Sequence, residues 1–259
     1  MTLLWTLLAT AIGGMLSAAL ASSFVLLPER RRAHLLPHLI SFATGAMLSA
    51  ALLALLPEAV SAAGPARVPA VGAALLAGIA LFFVLEKLVL WRHCHTHDCE
   101  GHGGPTDAHR DRAAGSLVLI GDAVHNAFDG VLIAAAFLTD HRLGLVTTLA
   151  ITAHEVPQEL GDLAVLLHSG MRPGRALLFN MLSGFSSVLG ALVGYFALSQ
   201  ALAVLPYAIA IAAASLIYVA VADLIPGLHR RVDPQGSVMQ VVLIALGVAV
   251  IVACERLLG

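Results

Sequence analysis

Residues 117–168 read LVLIGDAVHNAFDGVLIAAAFLTDHRLGLVTTLAITAHEVPQELGDLAVLLH, and this stretch decides what kind of molecule the chain is. Two apolar runs flank a short polar break, TDHR at 139–142. Each run is long enough to cross a hydrocarbon core, which takes about 20 mostly apolar residues in a helix. Each also carries polar groups at its middle. The first holds Asp122, His125, Asn126 and Asp129; the second holds His154, Glu155, Gln158, Glu159 and Asp162. A charged side chain at the bilayer centre costs roughly 2.5–3.5 kcal/mol even on the lenient insertion scale, so such groups persist mainly where ions or protons pass.

The rest of the chain repeats the apolar part of that pattern without the polar part. Of 259 residues, 59% are hydrophobic and only 12% charged, and the mean hydropathy is +0.91, which sets aside a soluble enzyme. Three cysteines imply no disulfide framework, and a net charge of −2 offers no surface for nucleic acid. Eight charge-poor windows have spanning length: Leu3–Leu27, Leu36–Val60, Val68–Leu90, Ala114–Thr139, Leu143–His168, Ala176–Leu198, Leu202–Leu228 and Val238–Cys254. The sixth and seventh are separated at Ser199-Gln200, shortly before Pro206. The expected fold is all-α, a single polytopic transmembrane domain over residues 1–259. The first window contains Ala19-Leu20-Ala21, yet it lacks the basic leader of a secretory signal and is expected to be a retained helix.

Basic residues are kept on the cytoplasmic side of short loops. The odd-numbered connections hold ten arginines (30, 31, 32, 92, 110, 112, 172, 175, 230 and 231), whereas the even connections and tails hold Arg67, Arg142 and Arg256. Both termini are therefore expected outside. The connection 93–112, HCHTHDCEGHGGPTDAHRDR, is then cytoplasmic, with five histidines and two cysteines in a polar, Gly-containing context. Such a tract collects zinc or serves as a solvated linker, and its spacing matches no structural zinc module.

On a helix, residues three and four apart share a face, so Asp122, His125 and Asp129 form one stripe, with Asn126 beside it. His154 and Gln158 form another, and Glu155, Glu159 and Asp162 line an adjoining face. The fourth span is centred near Asn126 and the fifth near Val156, so both polar clusters reach the midplane although the helices run in opposite directions. Asp122 and Asp162 are displaced toward the cytoplasmic side, which sketches an inward exit. Pro157 frees the carbonyl of Ala153. Imidazole, carboxylate and amide oxygen together suit first-row divalent cations, zinc first, with iron, manganese or cadmium as further options. A proton relay needs no such convergence of neutral donors. Helix-to-helix bonding explains one polar residue per span, not nine in two spans. The ion is cargo, so no resident cofactor is expected.

At these residues the chain resembles the ZIP (Zrt/Irt-like) family of metal-ion transporters, eight-helix proteins with HNxxDG or HNxxEG in the fourth helix and, in one branch, HExPHExGD in the fifth. His125, Asn126, Asp129 and Gly130 match the first motif; His154, Glu155, Pro157, Glu159, Gly161 and Asp162 match the second. The resemblance implies a binuclear centre on His125, Asn126, Asp129, His154, Glu155 and Gln158, with Met47 of GAMLSA as a thioether donor and Asp122 one turn before the HN pair. It implies helices one, four, five and six sliding against two, three, seven and eight, within a homodimer; a compact, mostly helical chain with short loops is expected in a cell membrane. Glycines 184, 190 and 194 suit close packing in the sixth helix. Two departures stand out: Gln158 replaces the second histidine of HExPHExGD, and Ala50 and Ala54 stand where that branch tends to have an acid and a histidine. The neutral amide is expected to weaken one metal position or to favour harder ions.

Two alternatives remain at this level. HEVPQ, residues 154–158, is one residue from the HExxH zinc-protease signature, which raises an intramembrane peptidase; the missing second histidine and the proline inside the motif count against it. An exporter is the other, because direction is not written in the motifs.

Overall fold

The computed structural model describes residues 1–25, 27–94, 107–168, 171–229 and 234–258. Among the described residues all regular structure is helical. Eight rods follow in order: α1 (Thr2–Val25), α2 (residues 29–63), α3 (Val68–Cys94), α4 (Asp107–Thr139), α5 (His141–His168), α6 (Pro173–Ser199), α7 (residues 205–229) and α8 (Pro234–Leu258). The turns between them obey local chemistry. Gly64 takes φ +80° ahead of Pro65, ending α2 in a backbone conformation that side chains resist. Asp140 Oδ1 accepts from the backbone N–H groups of Arg142 (2.9 Å) and Leu143 (3.2 Å) and so caps the start of α5. Pro173 begins α6, where its missing N–H has no helical partner to lose.

Several helices outrun the windows read from hydropathy. The fourth starts at Asp107 rather than Ala114, the second at Glu29 rather than Leu36, the fifth at His141 rather than Leu143 and the eighth at Pro234 rather than Val238. Hydropathy registers only the lipid-matched part, whereas backbone hydrogen bonding carries the helix on through polar turns. The separation at Ser199-Gln200 coincides with the end of α6. Most of the expected loop, residues 95–106, lies outside the described residues. Among the described residues, seven segments are long and apolar enough to cross a membrane. The helix that falls short is α5, because His154, Glu155, Gln158, Glu159 and Asp162 interrupt its apolar run.

Two prolines leave the same imprint. Ahead of Pro57, residues Ala50–Leu55 of α2 are π-helical, and the Leu56 N–H reaches back to the Ala51 carbonyl. Ahead of Pro226, Val219–Leu224 of α7 is π-helical, and the Ile225 N–H reaches the Ala220 carbonyl. Widening by one residue re-pairs donors next to a ring that cannot donate. Pro157, by contrast, sits within a continuous α-helix.

The rods pack as two groups. Within the first, α4 lies along α6, and α1 packs on α5, α6 and α4; within the second, α2 pairs with α8, and α3 with α7. Small residues make these crossings close. A side chain at Gly130 of α4 would meet the Ser187 carbonyl of α6, and one at Gly190 of α6 would meet the Ala127 carbonyl of α4. Gly45 of α2 and Gly247 of α8 form the matching contact in the other group. Where the groups meet, Ala46, Met47, Ala50, Ala51 and Ala54 of α2 share one apolar core with Ala150, Ile151 and Ala153 of α5.

Candidate metal centre

The α4–α5 pairing brings the two polar stripes face to face. His125 Nε2 lies 3.3 Å from His154 Nε2, with the rings edge to face at 89°. Around them, Asp129 Oδ2 is 3.7 Å from His125 Nε2 and 3.5 Å from His154 Nε2. Glu155 Oε1 is 3.7 Å from the first imidazole and 3.4 Å from the second. All four donor atoms lie within 4.8 Å of one another. Tetrahedral ligands held about 2.0–2.2 Å from a zinc ion lie roughly 3.3–3.6 Å apart, and the five separations above, 3.3–3.7 Å, are close to that spacing.

The environment supports the same reading. His154, Asp129 and Glu155 are buried, and His125 is 21% exposed, leaving one edge of the cluster accessible. His154 Nδ1 faces the Ala150 carbonyl at 3.5 Å; donation there places the lone pair on Nε2, toward the cluster. Asp129 Oδ2 and both Glu155 oxygens accept no hydrogen bond. In α1, by contrast, the buried hydroxyls of Thr6, Thr10 and Ser17 each bond a carbonyl of their own helix. Buried carboxylates without partners are unfavourable by several kcal/mol each, and a divalent cation offsets that cost.

A second cluster adjoins the first. Asp122, Glu155 and Glu159 place carboxylate oxygens within 4.8 Å of one another, all three buried. Glu155 therefore belongs to both clusters. Asn126 turns its amide nitrogen to Asp122, at 2.9 Å from Oδ1 and 3.2 Å from the carbonyl, so in this structure it orients the acid rather than facing the imidazoles. Gln158, Asp162 and Ser183 also neighbour Asp122. Both Glu159 oxygens lack hydrogen-bond partners, and Oε1 lies against Gly184 of α6. Met47 is fully buried in the apolar core where α2 meets α5, and Ala50 and Ala54 are buried beside it.

Two participants escaped the sequence reading. Asn180 and Ser183 of α6 are buried, and neither the Asn180 amide nor the Ser183 hydroxyl has a hydrogen-bond partner. Asn180 neighbours Glu159, and Ser183 neighbours Asp122. Their signal was the spacing of an amide and a hydroxyl three residues apart in LLFNMLSGF, one helix face in an otherwise apolar span.

A sequence model of the ZIP zinc transporter family matches residues 91–255, which include every residue of both clusters. The chain belongs to the ZIP family. It is 31% identical to zinc transporter ZIP13 of Pongo abelii over 235 residues, 84% of this chain and 66% of that one, and 30% identical to the Mus musculus ZIP13 over 88% of this chain and 72% of that one. Human ZIP4 is 38% identical over 46% of this chain, which is 18% of its own length. The chain thus spans about two thirds of the ZIP13 relatives and under a fifth of ZIP4. ZIP members are transporters, not enzymes, so the peptidase alternative falls. Gln158 at the position a zinc protease fills with histidine points the same way.

Proposed function

We propose that this ZIP protein carries divalent metal cations, zinc first and then cadmium, iron(II) or manganese, across a cell membrane into the cytoplasm. The observation that carries the reading is the tetrahedral spacing of two imidazoles and two carboxylates, buried between two helices that run in opposite directions. The imidazole cluster, His125, Asp129, His154 and Glu155, strips water from the entering ion. The carboxylate cluster, Asp122, Glu155 and Glu159, then receives it, with Asp162 beyond. Because α4 and α5 are antiparallel, Asp122 and Glu159 are both displaced toward the end of the bundle that carries the 95–106 connection and most of the arginines, by roughly 5–8 Å at 1.5 Å per residue. The arginine bias makes that end cytoplasmic, and uptake is the direction that the family resemblance implies.

In this reading all eight rods cross the bilayer, α5 included, because its polar face is turned to α4 and α6. Both termini lie outside. Movement is of the elevator type: glycine crossings hold each helix group together, and the alanine-rich core between α2 and α5 is smooth enough to slide. The working assembly is a homodimer, as the family resemblance implies.

The test is ion flux into sealed proteoliposomes containing the purified chain. Zinc, cadmium, iron(II), manganese and magnesium are offered separately, with His154→Ala in parallel. The expected result is flux of the first-row ions and cadmium, none of magnesium, and loss in the variant. Flux unchanged by His154→Ala removes the imidazole cluster from the path.

A further inference from the structure

The histidines at the start of α2 play no part in the centre described above. His34 and His38 lie four residues apart on one helix face, and their ring centroids are 5.0 Å apart. His34 is exposed, and His38 is half-buried. His38 Nδ1 lies 2.7 Å from the His34 carbonyl oxygen. A carbonyl can only accept, so the proton sits on Nδ1 and, in the neutral ring, the lone pair is on Nε2. Donation of the second ring nitrogen to a backbone carbonyl is the support that metal-binding histidines ordinarily have. An i, i+4 pair of imidazoles with one ring fixed in this way is a bidentate clasp for a first-row divalent cation.

We propose that His34 and His38 form such a site, separate from the clusters on α4 and α5. His38 precedes Met47 by nine residues, about 13 Å along the helix, toward the arginine-rich end. On the reading proposed above, this is the end at which the ion emerges. The site is weak by construction. Two protein ligands leave the other coordination positions to water, and Arg30 and Arg31, exposed one turn earlier, repel a dication. Weak binding with fast exchange is what handing an ion onward requires.

The experiment is residue-resolved modification of the full chain in lipid by the histidine-acylating reagent diethyl pyrocarbonate, with zinc or magnesium. Peptide mapping separates His34 and His38 from the histidines of the connection. At a zinc concentration of about three times Kd, mass action lowers the modification rate of both rings roughly fourfold. Magnesium gives no protection. Zinc protection of His38 disappears in His34→Ala and persists in His154→Ala. Protection of neither ring, of one ring alone, or of His38 regardless of His34 overturns the proposal. His125 is read in the same digest and reports the central site: protection of the α2 pair without His125 leaves this site standing while the central reading fails, and the converse sinks this site alone.

Discussion

The two polar clusters of the ZIP fold described here share Glu155 but are built differently. The first gathers two imidazoles and two carboxylates within 4.8 Å of one another, on α4 and α5 only. The second has no imidazole. It gathers Asp122, Glu155 and Glu159, flanked by the α6 amide and hydroxyl of Asn180 and Ser183. Imidazole nitrogen binds zinc with more covalent character than carboxylate or amide oxygen, and oxygen donors suit more weakly held, harder ions. On the function proposed above, the first cluster would be the place of capture and selection, and the second a place from which an ion departs. A carrier needs both, because a single tight site would bind without releasing.

Glu155 is where this division breaks most completely. Its Oε1 lies within 3.7 Å of both imidazoles, and the same carboxylate completes the inner triad. Glu155→Gln leaves size and packing nearly unchanged but removes one charge from both clusters. Losing one partner of a buried ionic group costs about 3–5 kcal/mol, or about two to three and a half decades. The expected outcome is a fall of that size in both zinc affinity and zinc flux, measured by isothermal titration and by proteoliposome uptake. A fall in flux alone shows that Glu155 serves only the inner cluster.

Glu159 tests the division from the other side. It belongs to the carboxylate cluster and not to the imidazole one, and both its oxygens lack hydrogen-bond partners. Glu159→Gln is expected to leave zinc affinity within about twofold while slowing flux roughly tenfold, the lower end of what loss of a supporting group costs at a metal site. Equal losses in affinity and flux merge the two clusters into one functional site.

How much of this could be read beforehand follows from how each signal arises. The fold was legible in the charge-poor windows, because a bilayer demands length and apolarity; the helix ends were not, because Asp107–Ala113 and Glu29–Leu35 are held by backbone bonds that hydropathy ignores. The candidate centre was legible on α4 and α5, where nine polar groups in two spans exceed what helix packing requires. On α6 it was not. A lone Asn180 and a lone Ser183 each have the cheaper explanation of helix-to-helix bonding, and only tertiary structure brings them to Glu159 and Asp122. Met47 was drawn in by resemblance, and complete burial in an apolar core is also what an ordinary methionine achieves.

Gln158 gives the finest test, because it changes the character of one cluster rather than deleting it. The resemblance places a histidine there, whereas here a neutral amide neighbours Asp122, on the carboxylate side. Gln158→His therefore adds an imidazole to the cluster that has none, making the departure site more like the capture site. Zinc should then be held more tightly and released more slowly: a few-fold gain in affinity with a few-fold loss in flux, about 1 kcal/mol each way. Manganese, which gains less from nitrogen donors, should lose less flux, so the ratio of zinc to manganese transport falls even as the ratio of their affinities rises. Opposite movement of those two ratios in one variant is the outcome expected when position 158 lies on the release side. If both ratios rise together, the histidine has joined the capture site, and the two clusters act on the ion as one.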